Sequence, residues 1–569
     1  MQANSENRIC QNCKQSFVIE SEDFLFYQKI KVPPPTFCPK CRLQRRLAWM
    51  ISLVLFKRKC DLCGVEGISM YEPNAPYRIY CHKCWWGDGW NPKDYARDYD
   101  FSRPFLLQWN ELLHETPILG LSIDTISGDY SPYTNHCGHA KNCYLIYYSD
   151  DNEDCMYGFY LARNKSVLNC SMIGSSQWCF DGKNNFKNYS VIGSYDTIQS
   201  LDSAFLRDCV NCQRCFGSAN LKNKSNVFFN EQLSKEDYEK KIVGIDLGSH
   251  LTYSHFKKLA EENWSKFVPK PQFDDFSKNF SGTYVFESKN CHECYEVVGV
   301  QDSKFIMLIK TSPVKDSYDY TDWGSNASRL YECVTVGENV ANMKFCHESG
   351  FNLNEIEYSK LQTGGSYCFG CVSIKKGEYC ILNKKYPEKE FFALREKIIK
   401  HMNDMPYVDK VGRIYKYGEF FPMEFSPHAY NNTFSNFFFP KTKTEAIASG
   451  LNFYEPNPKE YSITMPSSDL PDHIKDTPDE ITKEIIGCGT CLRGYKITKQ
   501  EIDMSRRMNV PLSRECPFCR IGFKIKKWVS QMKQVSRICD KCGSEFSTHY
   551  TKEEAPNVIC KKCYLSEVA

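Results

Sequence analysis

The placement of the cysteines constrains this chain more than any other feature. Of 31 cysteines in 569 residues, sixteen form eight Cys-x-x-Cys pairs, eight cysteines near each end. The N-terminal pairs are Cys10/Cys13, Cys38/Cys41, Cys60/Cys63 and Cys81/Cys84, separated by 24, 18 and 17 residues. The C-terminal pairs are Cys488/Cys491, Cys516/Cys519, Cys539/Cys542 and Cys560/Cys563, separated by 24, 19 and 17. Flanking residues agree too. Cys-Pro-x-Cys-Arg recurs at Cys38–Arg42 and Cys516–Arg520, and Cys-Asp-x-Cys-Gly at Cys60–Gly64 and Cys539–Gly543. The pattern reads as one two-site module present twice.

A Cys-x-x-Cys turn aims two thiolates at one metal, and a second such turn completes a tetrahedral shell. A glycine after the second sulfur, Gly64 or Gly543, lets the backbone turn with positive φ. Four structural Zn²⁺ ions are therefore expected. Pairing first with second and third with fourth is the simpler assignment, and a cross-braced alternative remains open. Each module is small, so metal must supply much of its folding energy, about 10–16 kcal/mol per site.

Between the two sites of each module lies a basic stretch. Residues 42–59 hold Arg42, Arg45, Arg46, Lys57, Arg58 and Lys59 without an acid. Residues 520–538 hold Arg520, Lys524, Lys526, Lys527, Lys533 and Arg537, again without an acid. One reading is a phosphate-contacting surface on nucleic acid or a ribonucleoprotein. The other is charge compensation, because zinc held by four thiolates carries a net charge of about −2.

The other fifteen cysteines lie between Cys137 and Cys380. They follow a beat of Asn or Asp, then Cys or another inward-fitting residue. It falls at Asn142-Cys143, Asp154-Cys155, Asn169-Cys170, Asn188-Tyr189, Asp208-Cys209 and Asn226-Val227, in steps of 12, 15, 19, 20 and 18. Asn and Asp favour turns, and the residues after them read as strand. Such units, stacked, make a β-solenoid with cysteines as an internal ladder. A second run begins at Asn290-Cys291 and Asp302-Ser303. The two runs end alike, Cys215-Phe-Gly217 leading to Asn230 and Cys368-Phe-Gly370 to Asn383. Helices should come next as caps, since an open solenoid end exposes strand edges.

The expected fold is mainly β with α segments: zinc-ribbon or treble-clef-like modules at both ends of two β-solenoid blocks with helical caps. The expected segments are a double zinc module at 1–90, an aromatic linker and helix at 91–132 and a solenoid block at 133–233. A helical cap at 234–281, a second block at 282–386 and a helical, mixed cap at 387–454 come after it. A linker at 455–480 leads to the second double module at 481–569. The rings of 85–109 (Trp85, Trp86, Trp90, Tyr95, Tyr99, Phe101, Phe105 and Trp109) are expected to glue the first module to the solenoid. Two clusters are weighed and set below structural roles: His136, Cys137, His139 and Cys143 as a fifth zinc site, and Asp150, Asp151, Glu153 and Asp154 as a calcium tip.

Charge is nearly balanced, 72 Lys+Arg against 69 Asp+Glu, which excludes a uniformly basic coat protein. Met1 to Arg8 is polar, and the longest apolar stretch, Trp49 to Phe56, is too short to span a bilayer. A reducing cytoplasm and no membrane partner are expected, with cysteines as ligands or buried thiols rather than disulfides.

Cys38-Pro-Lys-Cys-Arg-Leu-Gln-Arg-Arg46, Lys57-Arg-Lys-Cys60 and Tyr80-Cys-His-Lys-Cys-Trp-Trp86 resemble a set of uncharacterised, zinc-ribbon-bearing, cysteine-rich proteins of candidate-phylum bacteria. Asp98-Tyr-Asp-Phe-Ser-Arg-Pro104, Tyr417-Gly-Glu-Phe-Phe-Pro422 and the stretch from Ser426-Pro to Tyr430-Asn-Asn-Thr433 resemble them too. That group has no established function, so the resemblance implies zinc modules but no activity. Residues 50–55, Met-Ile-Ser-Leu-Val-Leu, depart from the more polar, basic stretch it implies.

Three functions are compatible with these features. The first is a non-enzymatic zinc scaffold gripping nucleic acid or a ribonucleoprotein through the twelve cations. The second is a protein-interaction scaffold with purely structural zinc. The third, a solenoid enzyme acting on polysaccharide, rests on fold analogy alone. The chain has no GxxxxGK[ST], GxSxG or HExxH, and no catalytic residue or organic cofactor is assigned.

Overall fold

The computed structural model describes residues 4–123, 131–456 and 462–568. Parts of the two linkers expected from sequence, 124–130 and 457–461, lie outside the described residues. The chain divides into two compact units, and the division does not follow chain order. One unit joins Met1–Leu121 to Phe273–Glu455; the other joins Ser122–Gln272 to Pro456–Ala569. Each unit therefore holds one cysteine module and one β-solenoid block: the N-terminal module with the second block, and the C-terminal module with the first.

The first block repeats every 12 residues. Parallel pairing runs Ser171↔Lys183↔Tyr195↔Arg207↔Ala219, and the same step joins Asn135 to Tyr147 and Phe159 to Ser171. Within each turn of the solenoid, every third residue is left-handed. His136, His139, Asn142 and Leu145 begin the series, and Asn220, Asn223 and Asn226 end it. A 12-residue turn thus has four corners. Left-handed backbone costs least for Gly, Asn and Asp, which explains the enrichment of those residues. The residue after each corner points inward. Cys137, Ala140, Cys143 and Ile146 fill one turn of the core, and Cys155, Leu161, Val167, Cys170 and Cys179 continue it.

A turn this tight admits small and medium side chains, cysteine and serine often among them. The inward thiols settle their single donor locally. Cys143 donates to the Lys141 carbonyl at 3.3 Å and Cys155 to that of Glu153 at 3.3 Å. Inward serines do the same and also accept from the backbone N–H one turn on, as Ser149 does from Leu161 at 3.0 Å and Ser194 from Leu206 at 2.9 Å. Buried polar groups are thereby paired within the ladder.

The second block is less regular. Its pairing runs Lys278↔Lys289↔Gln301↔Lys315↔Ser328↔Ala341↔Asn354↔Ser366↔Glu378, in steps of 11 to 14 residues. Its core includes Cys291, Cys294, Cys333, Cys346, Cys368, Cys371 and Cys380. Cys291 and Cys294 are joined as a disulfide. This corrects the expectation of thiols throughout; the two residues come directly after successive corners, Asn290 and Glu293, a placement that Cys209, Cys212 and Cys215 share as free thiols.

The shared ending has a shared function. The Asn230 side chain accepts from the Ala219 N–H at 3.0 Å and donates to its carbonyl at 2.7 Å. Asn383 does the same to Val372, at 2.9 and 3.0 Å. Each asparagine satisfies the backbone of the last turn, and a short antiparallel pairing, Val227↔Gln232 or Cys380↔Lys385, closes the edge. Helices Lys235–Val243 and Glu388–Asp404 come next. A further helix, His250–Trp264, lies along the flank of the first block. Its Asn263 donates to the Gly217 carbonyl (3.0 Å), Trp264 to that of Phe205 (3.2 Å), and Tyr253 to the Asp181 carboxylate (2.8 Å).

Candidate metal centres

The sixteen paired cysteines converge into four tetrads, Cys10/13/38/41, Cys60/63/81/84, Cys488/491/516/519 and Cys539/542/560/563, with all sulfurs of a tetrad within 4.8 Å of one another. Pairing is sequential. All four are built alike. In the first, the Cys10 N–H donates to the Gln15 carbonyl and Lys14 turns back to the Cys10 carbonyl with φ +60°. Gly64, Leu492 and Gly543 hold the corresponding turn, with φ +72°, +59° and +71°. The first sulfur of each tetrad accepts from the N–H of the third cysteine: Cys38 to Cys10 at 3.3 Å, and Cys81 to Cys60, Cys516 to Cys488 and Cys560 to Cys539 at 3.2 Å.

The third cysteine opens a helix each time. Cys38 precedes Pro39–Leu47, Cys81 precedes His82–Trp86, Cys516 precedes Pro517–Gln531, and Cys560 precedes Lys561–Val568. A helix N-terminus favours the thiolate form, yet at Cys38, Cys81 and Cys516 the neighbouring sulfurs and burial win and raise the thiol. Burial alone would raise the thiols of Cys60 and Cys488, but donated backbone N–H groups outweigh it and lower both to about 7. Cys539, under the same two influences, falls to about 6.

The spacing fits a metal. Sulfurs in a tetrahedron about 2.3 Å from a central ion are about 3.8 Å apart. Cys13–Cys38 measures 3.7 Å, Cys63–Cys81 3.9 Å, Cys491–Cys516 3.8 Å and Cys542–Cys560 3.8 Å. Among the described residues, the grouped ligands form these four sets. Cys137 and Cys143 instead point into the solenoid core, and His136 stacks on Tyr148 with ring centroids 4.5 Å apart. In the acidic tip, Glu153 pairs with Lys165 at 3.1 Å and Asp154 accepts from Asn142 at 2.6 Å, as a turn held by its own neighbours does.

The basic stretches are where structure departs most from the phosphate reading. Helix Pro39–Leu47 lies on the second block with Arg42, Arg45 and Arg46 each 1% exposed. Arg42 pairs with Asp319 at 2.9 Å, and Arg46 with Asp319 at 2.9 Å and Glu332 at 3.1 Å. Arg45 bridges Glu332 and Glu419 at 2.5 and 2.9 Å. Helix Pro517–Gln531 lies on the first block in the same way. Arg520 bonds Asn169 at 2.8 Å and Glu501 at 2.9 Å, and Lys524 pairs with Asp181 at 2.7 Å. Burial would push the Asp181 carboxyl up, but Lys257 and Lys524 hold it well below the usual range.

The two dockings share the same turn of the solenoid. Counting corners back from Phe229 and Leu382 in one column, the fourth is Asp181 or Glu332, the fifth Asn169 or Asp319, and the sixth Tyr157 or Phe305. Arg520 lies over the Tyr157 ring at 4.2 Å and Arg42 over that of Phe305 at 5.2 Å.

Arg58 and Arg537 serve the second site of each module. Arg58 donates to the carbonyls of Glu72, Ala75 and Tyr77, and Arg537 to those of Tyr550, Ala555 and Pro556. Of the twelve candidate cations, Lys57, Lys59, Lys526, Lys527 and Lys533 are exposed, with Lys527 over the Tyr195 ring at 4.1 Å. Buried guanidinium groups with carboxylate partners cannot reach phosphate. This corrects the assignment of Arg42, Arg45, Arg46, Arg520 and Lys524, the last also buried, to nucleic acid. The aromatic glue is present: Trp85 and Trp109 are buried, and Lys375 of the solenoid lies over Trp85, Trp86 and Trp90 at 4.5, 5.4 and 4.9 Å.

Sequence reasoning missed the acceptors: Asp319, Glu332, Glu419, Asp181, Asn169 and Glu501. A usable signal existed in the 13-residue step from Asp319 to Glu332, which equals one turn of the second block.

No family model matches the chain, and no curated protein does. Among solved structures, a putative acetyltransferase from Desulfovibrio desulfuricans G20 aligns with 49% of this chain and 83% of its own length, at 9% identity and a TM-score of 0.10, too low to carry an argument.

Proposed function

We propose that this protein is a non-enzymatic, zinc-stapled scaffold that binds other proteins along its solenoid surfaces. The observation that carries this reading is that each module docks on the solenoid block of its own unit through its buried cations. Arg42, Arg45, Arg46, Arg520 and Lys524 make internal ion pairs, so the modules act as covers that rigidify a long β surface. All-thiolate tetrads suit zinc by ligand softness and tetrahedral spacing, and four protein ligands leave no open position for catalysis. A nucleic-acid partner would have to rely on Lys57, Lys59, Lys526, Lys527 and Lys533, fewer cations than the basic stretches suggested.

The test is purification from cells that make the protein, with and without nuclease. Protein partners retained after nuclease treatment are expected. Loss of all partners on nuclease treatment, with binding to single-stranded RNA that falls steeply with salt, would overturn the reading.

A further inference from the structure

We propose that an acidic, amphipathic protein segment docks on the exposed faces of the first solenoid block, centred on Phe186, Tyr189, Ile198, Leu201 and Val210; this rests on the protein-scaffold reading above. The block has four sides. The C-terminal module covers one through Arg520 and Lys524, and helix His250–Trp264 lies along the adjoining flank. On the other two sides the outward residues are exposed or half-buried, Ile198 and Val210 among the half-buried ones. On one, Phe186, Ile198 and Val210 are in parallel register on successive turns; on the next, Tyr189 is in register with Leu201. Phe186, Tyr189 and Leu201 are 39, 46 and 40% exposed. Single exposed apolar residues need no explanation, but a contiguous set on adjacent strands, about 4.8 Å apart, forms a patch.

Charge around the patch selects the occupant. Arg163, Lys187 and Lys222 are exposed on these sides, one at each end of the patch and one within it, whereas among the described residues of the apolar turns Asp202 is exposed and Asp196 half-buried. Lys187 lies over the Phe186 ring at 5.1 Å, keeping its charge beside the apolar surface. The partner must therefore be anionic and carry apolar side chains. Phe186 and Tyr189 are rings, but they lie on different sides of one turn, and the aliphatic Ile198, Leu201 and Val210 beside them give no surface for stacking successive bases, which favours a polypeptide over single-stranded nucleic acid.

The test uses full-length protein and fluorescence anisotropy with three probes: a short peptide alternating glutamate with leucine and phenylalanine, poly-glutamate, and poly-uridine RNA. The amphipathic peptide should bind in a salt-sensitive manner, and poly-glutamate about tenfold more weakly. Leu201→Glu and Lys187→Glu should each weaken the peptide about tenfold while leaving metal content and far-UV dichroism unchanged. Unchanged peptide affinity in both variants would overturn this site and leave the scaffold reading standing. Equal binding of poly-glutamate would remove the apolar patch from the account. Poly-uridine bound in preference to either peptide, and lost in the variants, would overturn both the site and the scaffold reading.

Discussion

Arg45 holds two carboxylates at once, Glu332 of the solenoid and Glu419 of the segment C-terminal to it, and all three side chains are 5% exposed or less. A charge so placed is strongly destabilising to orphan. Arg45→Met should cost about 3–5 kcal/mol in urea unfolding, because two acids lose their partner, whereas Lys57→Met, at an exposed side chain, should cost under about 0.5 kcal/mol. A second residue-scale expectation concerns pH. Burial lowers the His549 imidazole to about 4, against the pull of Asp196, so the folded state prefers it neutral. The unfolded chain then binds the extra proton first. Stability is fully present above the unfolded value of about 6.5 and declines as pH falls toward 4, by up to about 3 kcal/mol. His549→Phe should flatten that decline in a pH series of thermal melts; an unchanged slope would assign it to other groups.

At the scale of elements, the tetrads were legible because ligand chemistry is local. Two Cys-x-x-Cys turns, a hairpin and a helix start lie within one short stretch, so spacing alone fixes them. Cys539→Ser should remove one of four bound metal ions and leave the other three, measured by metal analysis of protein prepared without chelator. Chelation should unfold the modules while the solenoid, held by its ladder, keeps its β dichroism. The solenoid was legible in kind but not in period. Asn142-Cys143 and Asp154-Cys155 are a corner and its inward neighbour, one turn apart. Asn169-Cys170 falls on a different corner, three residues further round, which makes that step 15. Asn188 is itself an inward residue, its side chain donating to the Thr197 carbonyl at 3.2 Å, so it breaks the count. With a corner every third residue, any mark that favours corners recurs at many multiples of three.

For the molecule as a whole, the chain runs module, block, block, module, yet each module is in the same unit as the block farther from it in sequence. Nothing in the residues announces this. The ion pairs that decide it join Arg42 to Asp319 and Lys524 to Asp181, residues separated by 277 and 343 positions. The basic stretches could show six cations each without a local acid; they could not show an acid column waiting on a solenoid. The measurement that tests the central claim most directly is paired charge reversal in the full-length protein. Arg45→Glu with Arg46→Glu should lower the thermal midpoint by several degrees and leave affinity for single-stranded RNA unchanged at every salt concentration. An unchanged midpoint with a loss of salt-sensitive RNA binding would contradict the account and return those cations to phosphate.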